Sequence, residues 1–432
     1  MEHRRIIVRH LLALFALALV VRVTYVLVAV NSIGIDRFIN ITPDSQTYLA
    51  ASREIFGSDA YGLFALYLVG PGYGFILGLL RLVFGEGFVP GMCFSVLMGA
   101  LAPVAVYLFA YSVFRHLRLA LLAGLICAIS HTSLSMSGRI LTDQTFFTLH
   151  CFTLVCLVEG LRKGKWKWFV WAGLLCGVAA LIRPAGQFWP YIFLALPFVL
   201  PLPAAFVSRS QLLGRVAVVG LLALSMTLSW SARNYFVNGV FTFGSVGVLT
   251  ARNCVVAQID SARTGQKIWD LRKIYEDEDG DHRIPFAESN ENMQRRVKQT
   301  IAAEPSKFVN FYLSNLWENA IVSNSYLPDD FPVLTELGWA QIWEVLKNIN
   351  RVLIGVFALS LVVLAVDRRW SALVILGIVF AYFTLVTGFS FWQGSRLHYP
   401  AEMAWAVLSA YLIVRLFSHW RQQPAPTGGS RF

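Results

Sequence analysis

Ten stretches of this chain are apolar over lengths suited to crossing a bilayer: 11–30, 88–113, 119–138, 143–161, 166–182, 186–206, 212–232, 351–366, 370–388 and 400–418. A hydrocarbon core about 30 Å thick takes close to 20 residues of helix, and within it every backbone group must be bonded inside the segment. These runs confine the chain to an all-α integral membrane protein with about ten transmembrane helices. A charged fraction of 14% fits that class and is too low for a soluble domain. The net charge of +11 then belongs to cytosolic loops, and nucleic acid is excluded as a partner. The first run lacks the small-residue cleavage site of a signal peptide and is expected to stay as the first helix. Of six Cys, five lie in apolar runs without paired spacing and Cys254 stands in a polar loop, so neither a disulfide framework nor a thiolate metal site is expected.

A further apolar piece, 72–84, is short and contains Arg81, which suits an interfacial or re-entrant helix. If it does not cross, sixteen Lys and Arg fall on the amino-terminal side of the membrane and seven in the short segments opposite, the long loop over 234–350 being left out of the comparison. That bias places the amino terminus in the cytosol. The expected organisation is a transmembrane catalytic module over 1–233 with a first external loop at 31–87, an external loop with surface helices over 234–350, and carboxy-terminal transmembrane helices with a short tail over 351–432.

The long loop carries a helical tract over 287–319 that Pro305 should break, with the second half along the membrane surface. The acidic run "EDEDGD" at 276–281 reads as a solvated turn, and it lacks the ligand spacing of a calcium loop. Polar residues from five connections meet the non-cytosolic side: Asp44 in "PDSQTYL", Arg139 and Asp143 in "SGRILTDQ", Arg183 in "LIRPAG", Arg233 in "SARNY", and Arg396 with His398 in "WQGSRLHYP". Arg22 lies within the first span, deeper than an interfacial Arg needs, and a charge at that depth is a functional candidate by default.

In this order, "PDSQTYLAA", "VGPGYGFILGLLRLVFG", "SGRILTDQTFF", "GVAALIRPAG", "SARNYFVNGVFTFGS", "AAEPSKFVNFYLSNLW" and "SRLHYPAEM" resemble the landmarks of membrane glycosyltransferases of the class C (GT-C) fold. The likeness is greatest to the branch holding protein O-mannosyltransferases and aminoarabinose transferases. The resemblance implies that Asp44 matches an acidic position, Tyr48 the aromatic after it, and Pro71, Gly72 and Tyr73 a turn. It also implies a polyprenyl-phosphate sugar donor, a glycan, lipid or protein acceptor, and a site facing the periplasm or exterior of a bacterial inner membrane. The resemblance does not extend to the branch's extra carboxy-terminal spans and soluble domain, so it leaves the acceptor open.

Moving a sugar from a lipid phosphate requires a base for the acceptor proton and cations for the departing phosphate. Asp44 suits the base. The competing role for it is a helix N-cap, which Asp after Pro fills well. Asp143 is the second acid, able to orient the acceptor, to hold Arg139, or to serve a helix N-terminus. Arg183, Arg233, Arg396 and His398 are the candidate phosphate contacts, since a guanidinium binds phosphate oxygens in pairs, with Arg396 foremost because the resemblance implies a basic donor-phosphate contact at its turn; Arg139, Tyr48 and Tyr73 are further candidate substrate contacts. Glu402 is available to pair with one of these arginines. No cofactor and no metal are expected. An O-antigen-type polymerase or ligase, or a lipid or sugar transporter, would share the membrane setting; paired inverted repeats, common in transporters, are not evident.

Overall fold

The computed structural model describes residues 2–56, 69–279, 284–322, 326–334, 340–391 and 393–420. These are helical nearly throughout. The helices that matter below are α1 (Glu2–Ile33), α2 (Asp44–Phe56), α3 (Pro71–Phe84), α4 (Val89–Phe114), α5 (Leu117–Ile129), α6 (Thr142–Lys163), α7 (Trp166–Ile182), α8 (Trp189–Val199) and α9 (Arg209–Asn238). The second half adds α10 (Ile268–Glu278), α11 (Phe286–Ala303), α12 (Pro305–Ile321), α13 (Ala340–Val366), α14 (Trp370–Thr387) and α15 (Glu402–Trp420).

Seven helices among the described residues are long and apolar enough to cross a membrane. Every one of the ten apolar runs carries a helix, but α5, α7 and α8 are shorter, at 13, 17 and 11 residues. The run at 119–138 is interrupted at Ser130, whose ψ of 129° leaves the helical region and whose hydroxyl caps the short helix His131–Ser135. Pro190 opens α8 and Pro201 and Pro203 follow its end, so that run cannot continue as one helix.

The bundle is assembled on narrow stripes. α1 buries Leu14, Ala18, Arg22, Tyr25, Val26 and Ala29, one helical face, while Leu12, Val20, Leu27 and Val28 point outward. Ala18, Ala100 and Ala128 meet where α1, α4 and α5 converge, small side chains that let membrane helices approach closely. α6 is the most enclosed of the seven long apolar helices, and it brings Asp143 at its first turn into the core at one end of the bundle.

α3 rises about 21 Å over 14 residues, less than a bilayer core. Its Gly74 and Gly78 lie against Ala51, Ser52 and Phe56 of α2, and a Cβ at Gly72 would fall 2.7 Å from the Leu181 carbonyl carbon at the end of α7. This glycine face presses α3 between α2 and α7 and sets Tyr73 against Tyr48, ring centroids 5.2 Å apart and nearly perpendicular. Gly72→Val is therefore expected to destabilise the protein by about 1–3 kcal/mol. A drop in melting temperature of the purified protein in detergent is the check, and an unchanged midpoint would show that this packing is slack.

The reading of 72–84 as non-crossing has a direct test by thiol labelling in a variant without the native cysteines. Asp44→Cys, at a part-exposed position, and Glu86→Cys, at an exposed one, are expected to react with an impermeant reagent from the non-cytosolic side, and Arg118→Cys is not. Protection of Glu86→Cys with labelling of Arg118→Cys would mean that α3 crosses.

In the long loop, α11 ends at Ala303 and α12 starts on Pro305 at its first turn, the break expected from the proline. The acidic run differs from its expectation. Glu276, Asp277 and Glu278 belong to α10, and Asp279 is buried between Arg252 (3.0 Å) and Arg296 (2.8 Å), while 280 and 281 lie outside the described residues. Two arginines distant in sequence turn part of a solvated stretch into a core ion pair.

Candidate functional site

Four charged side chains from four elements form one alternating row. Arg183, at the end of α7, donates to Asp143 Oδ1. Arg396, in the short helix Ser395–His398, donates through Nη2 to Asp44 Oδ2, and the same nitrogen lies 3.6 Å from Asp143 Oδ2. The row Asp44, Arg396, Asp143, Arg183 is neutral overall. It is graded in exposure: the Asp44 side chain is 43% accessible and Asp143 is fully buried. Asp143 Oδ2 and Arg396 Nε have no hydrogen-bond partner among the described residues, so the row keeps unused capacity for one acceptor and one donor contact.

Asp44 is the first residue of α2 and not the residue before it, so the cap reading is replaced: its carboxylate goes to Arg396. Tyr48, one turn on, shares a hydrogen bond with Thr142 of α6 at 3.2 Å. Burial, aided by the Asp44 carboxylate, pushes the Tyr48 hydroxyl up to about 12, so it remains protonated as a donor or a wall at neutral pH. The Tyr73 hydroxyl is buried beside it without a hydrogen-bond partner among the described residues.

Arg139 is placed differently from its expectation. It is not held by Asp143 but paired with Asp330 at 2.5 Å, donates to the Ser135 and Phe38 carbonyls, and lies between the Phe38 and Tyr326 rings. Asp330 also accepts from Tyr25. Burial raises the Asp330 carboxyl above the usual range, with the Arg139 guanidinium opposing. This pair supports the site from behind. Arg233 stacks over Trp230 at 4.9 Å and donates to Asn234. His398 is buried against Phe380, with both ring nitrogens lacking a hydrogen-bond partner among the described residues. Glu402 faces Arg22, not the arginines of the row.

Sequence reasoning passed over the residues that shape the Arg396 turn. Asn319 of α12 donates to the Thr387 and Ser390 carbonyls and accepts from the backbone N–H of Gln393 and Gly394. Asn315, one turn earlier, donates to the Gly388 carbonyl. Their signal was two Asn on the inner face of an otherwise apolar helical tract. Trp392, quoted with the turn, lies outside the described residues. Near the end of α7, Pro71, Leu181, Ser225, Met226, Ser229 and Trp230 line an open, largely apolar cleft of about 390 Å³. No group of three His, Cys, Asp or Glu suited to a metal occurs among the described residues.

Comparison with known proteins agrees with this architecture. The fold is similar to that of the archaeal oligosaccharyltransferase AglB from Archaeoglobus fulgidus, in complex with an inhibitory peptide and a dolichol-phosphate, with TM-score 0.51 and 15% identity, covering 96% of this chain and 52% of that one. The apo form of an oligosaccharyltransferase from Archaeoglobus fulgidus gives 0.50 and 16% over the same shares. ArnT from Cupriavidus metallidurans gives 0.37 and 14%, covering 89% of this chain and 76% of that one. The two oligosaccharyltransferase likenesses show that the chain has the GT-C fold. Within that class, residues 69–230 match the profile of the family described as dolichyl-phosphate-mannose-protein mannosyltransferase. The chain spans about half the length of the oligosaccharyltransferases it resembles. No curated protein matches it by sequence.

Proposed function

We propose that this protein transfers a sugar from a polyprenyl-phosphate donor to a hydroxyl or amine of a glycan, lipid or protein acceptor, on the non-cytosolic face of a bacterial inner membrane. The row Asp44, Arg396, Asp143, Arg183 carries the reading, because it sets a solvent-reachable carboxylate beside two guanidiniums at one end of an apolar bundle. The matched family's description names a dolichyl-phosphate-mannose donor, and the similar oligosaccharyltransferase holds a dolichol-phosphate. The apolar cleft lined by Leu181, two residues before Arg183, suits an isoprenoid chain whose phosphate would reach toward the arginines.

In the reaction, the acceptor lone pair forms a bond to the anomeric carbon while the bond from that carbon to the phosphate oxygen breaks. The electron pair leaves on the phosphate. Asp44 takes the acceptor proton, and Arg396 and Arg183 balance the phosphate charge, with inversion at the anomeric carbon. Asp143 fixes both arginines from the buried side. Arg396 must release Asp44 when the donor binds, and its unpartnered Nε gives it a second contact to use. Tyr48 and Tyr73 form the wall beside the sugar.

The test is lipid analysis of cells lacking the protein: one polyprenyl-linked sugar should accumulate and should disappear on return of the gene. An unchanged lipid pool would remove the donor assignment. Since Asp44 and Asp143 both already engage arginine, transfer is also expected to persist in a chelator. Activity that stops in chelator and returns only with a divalent ion would recast the two carboxylates as ligands.

A further inference from the structure

Behind the row lies a second polar assembly, wholly inside the bundle. Arg22 is completely buried, and its Nη2 donates to Ser133 Oγ at 2.7 Å. The Ser133 hydroxyl meets the Tyr399 hydroxyl at 3.0 Å, and Tyr399 donates to Gln144 Oε1 at 2.9 Å. An arginine has only donors and each hydroxyl has one proton, so the direction is fixed: Arg22 to Ser133, Ser133 to Tyr399, Tyr399 to Gln144. Arg22 Nη1 also donates to the Ala128 carbonyl, one of those left open where α5 breaks at Ser130. Glu402, hydrogen-bonded to Ser130, is the acidic side chain near Arg22. Gly99 leaves the room, since a Cβ there would lie 2.7 Å from Arg22 Nε.

The two ends of this chain of bonds are adjacent to the site. Gln144 follows Asp143 directly, and Tyr399 is three residues beyond Arg396. We infer that Arg22 is a positioning residue: through Ser133 and Tyr399 it holds the first turn of α6 and the 395–401 segment in register, and so holds Asp143 against Arg396. The effect on the reaction rests on the glycosyl-transfer reading; the mechanical coupling does not. If Arg22 merely capped α5, its loss would loosen α1 and α5 alone.

Ser133→Ala and Tyr399→Phe cut the chain at single hydroxyls, and Phe keeps the ring against Phe147, 4.5 Å away. The full-length protein in lipid nanodiscs is compared with these variants, their double variant, Arg22→Lys and Arg22→Met. Backbone amide exchange and the Kd for undecaprenyl phosphate are the two readouts. The expected result for each hydroxyl variant is faster exchange confined to 142–147 and 393–401 and a Kd raised about tenfold, because small displacements of charged contacts cost that order. The double variant should lose no more than either single one, since both break one chain. Arg22→Lys should restore only part of the loss in Arg22→Met, since a point ammonium lacks the planar fork whose two terminal nitrogens reach Ala128 and Ser133 separately.

Exchange unchanged in those two segments, or full restoration by Lys, would overturn the inference while leaving the proposed function standing. Absence of undecaprenyl phosphate binding by the unaltered protein would instead count against the proposed function, and the exchange pattern would still decide the coupling.

Discussion

Asp44→Asn is expected to lower sugar transfer by about 10² or more while donor binding persists. Asn preserves the shape of the side chain and can stay in place at the first turn of α2, but it cannot take the acceptor proton. The structure sharpens this expectation. Asp44 is the most exposed member of the row and the largely buried Arg396 keeps Asp143 at 3.6 Å, so the fold should hold. It also removes the anion on one side of Arg396, which leaves that guanidinium freer for a phosphate. Donor affinity should therefore be equal or slightly higher. Transfer at a near-normal rate would leave Asp44 as the partner of Arg396 and nothing more.

Arg396→Ala is expected to weaken both donor binding and turnover, each by about tenfold or more, through loss of a charge-assisted phosphate contact. Part of the cost is structural, because Asp143 is fully buried and would keep only Arg183. Stripping one partner from a buried ion pair destabilises by about 3–5 kcal/mol in full burial, and the remaining Arg183 contact should hold the cost below that. Arg396→Lys separates the two effects. It retains the charge beside Asp143, so the melting temperature should recover, but it lacks the forked geometry that binds two phosphate oxygens, so donor affinity should not. Recovery of both would assign Arg396 a role in folding alone.

The helices were legible because hydrophobic length is a local property. That Asp44 and Arg396, 352 residues apart, share one end of the bundle was also legible from the charge bias, but that they pair was not. The break before Pro305 followed from the missing amide of proline. What could not be read was which charges pair. Arg139 and Asp143 are four residues apart, yet each is taken by a distant partner: Asp330 for the first, Arg183 and Arg396 for the second. Asp279 was misread for the same reason, as its solvated neighbours gave no sign of Arg252 and Arg296. Asn319 is a different case. A buried amide that closes four backbone bonds of a turn has no periodicity of its own, and only the fold shows what it holds. The glycines at 74 and 78 did carry a readable signal, the spacing of four that lets helices touch.

The most direct test of the central claim uses the polyprenyl-linked sugar that accumulates without the protein, purified and supplied to proteoliposomes with an acceptor fraction. Released polyprenyl phosphate and transferred sugar are measured together. The account predicts one polyprenyl phosphate freed per sugar transferred, by the unaltered protein and not by Asp44→Asn. A donor lipid that crosses the bilayer intact, or that is consumed equally well without the Asp44 carboxylate, would contradict it.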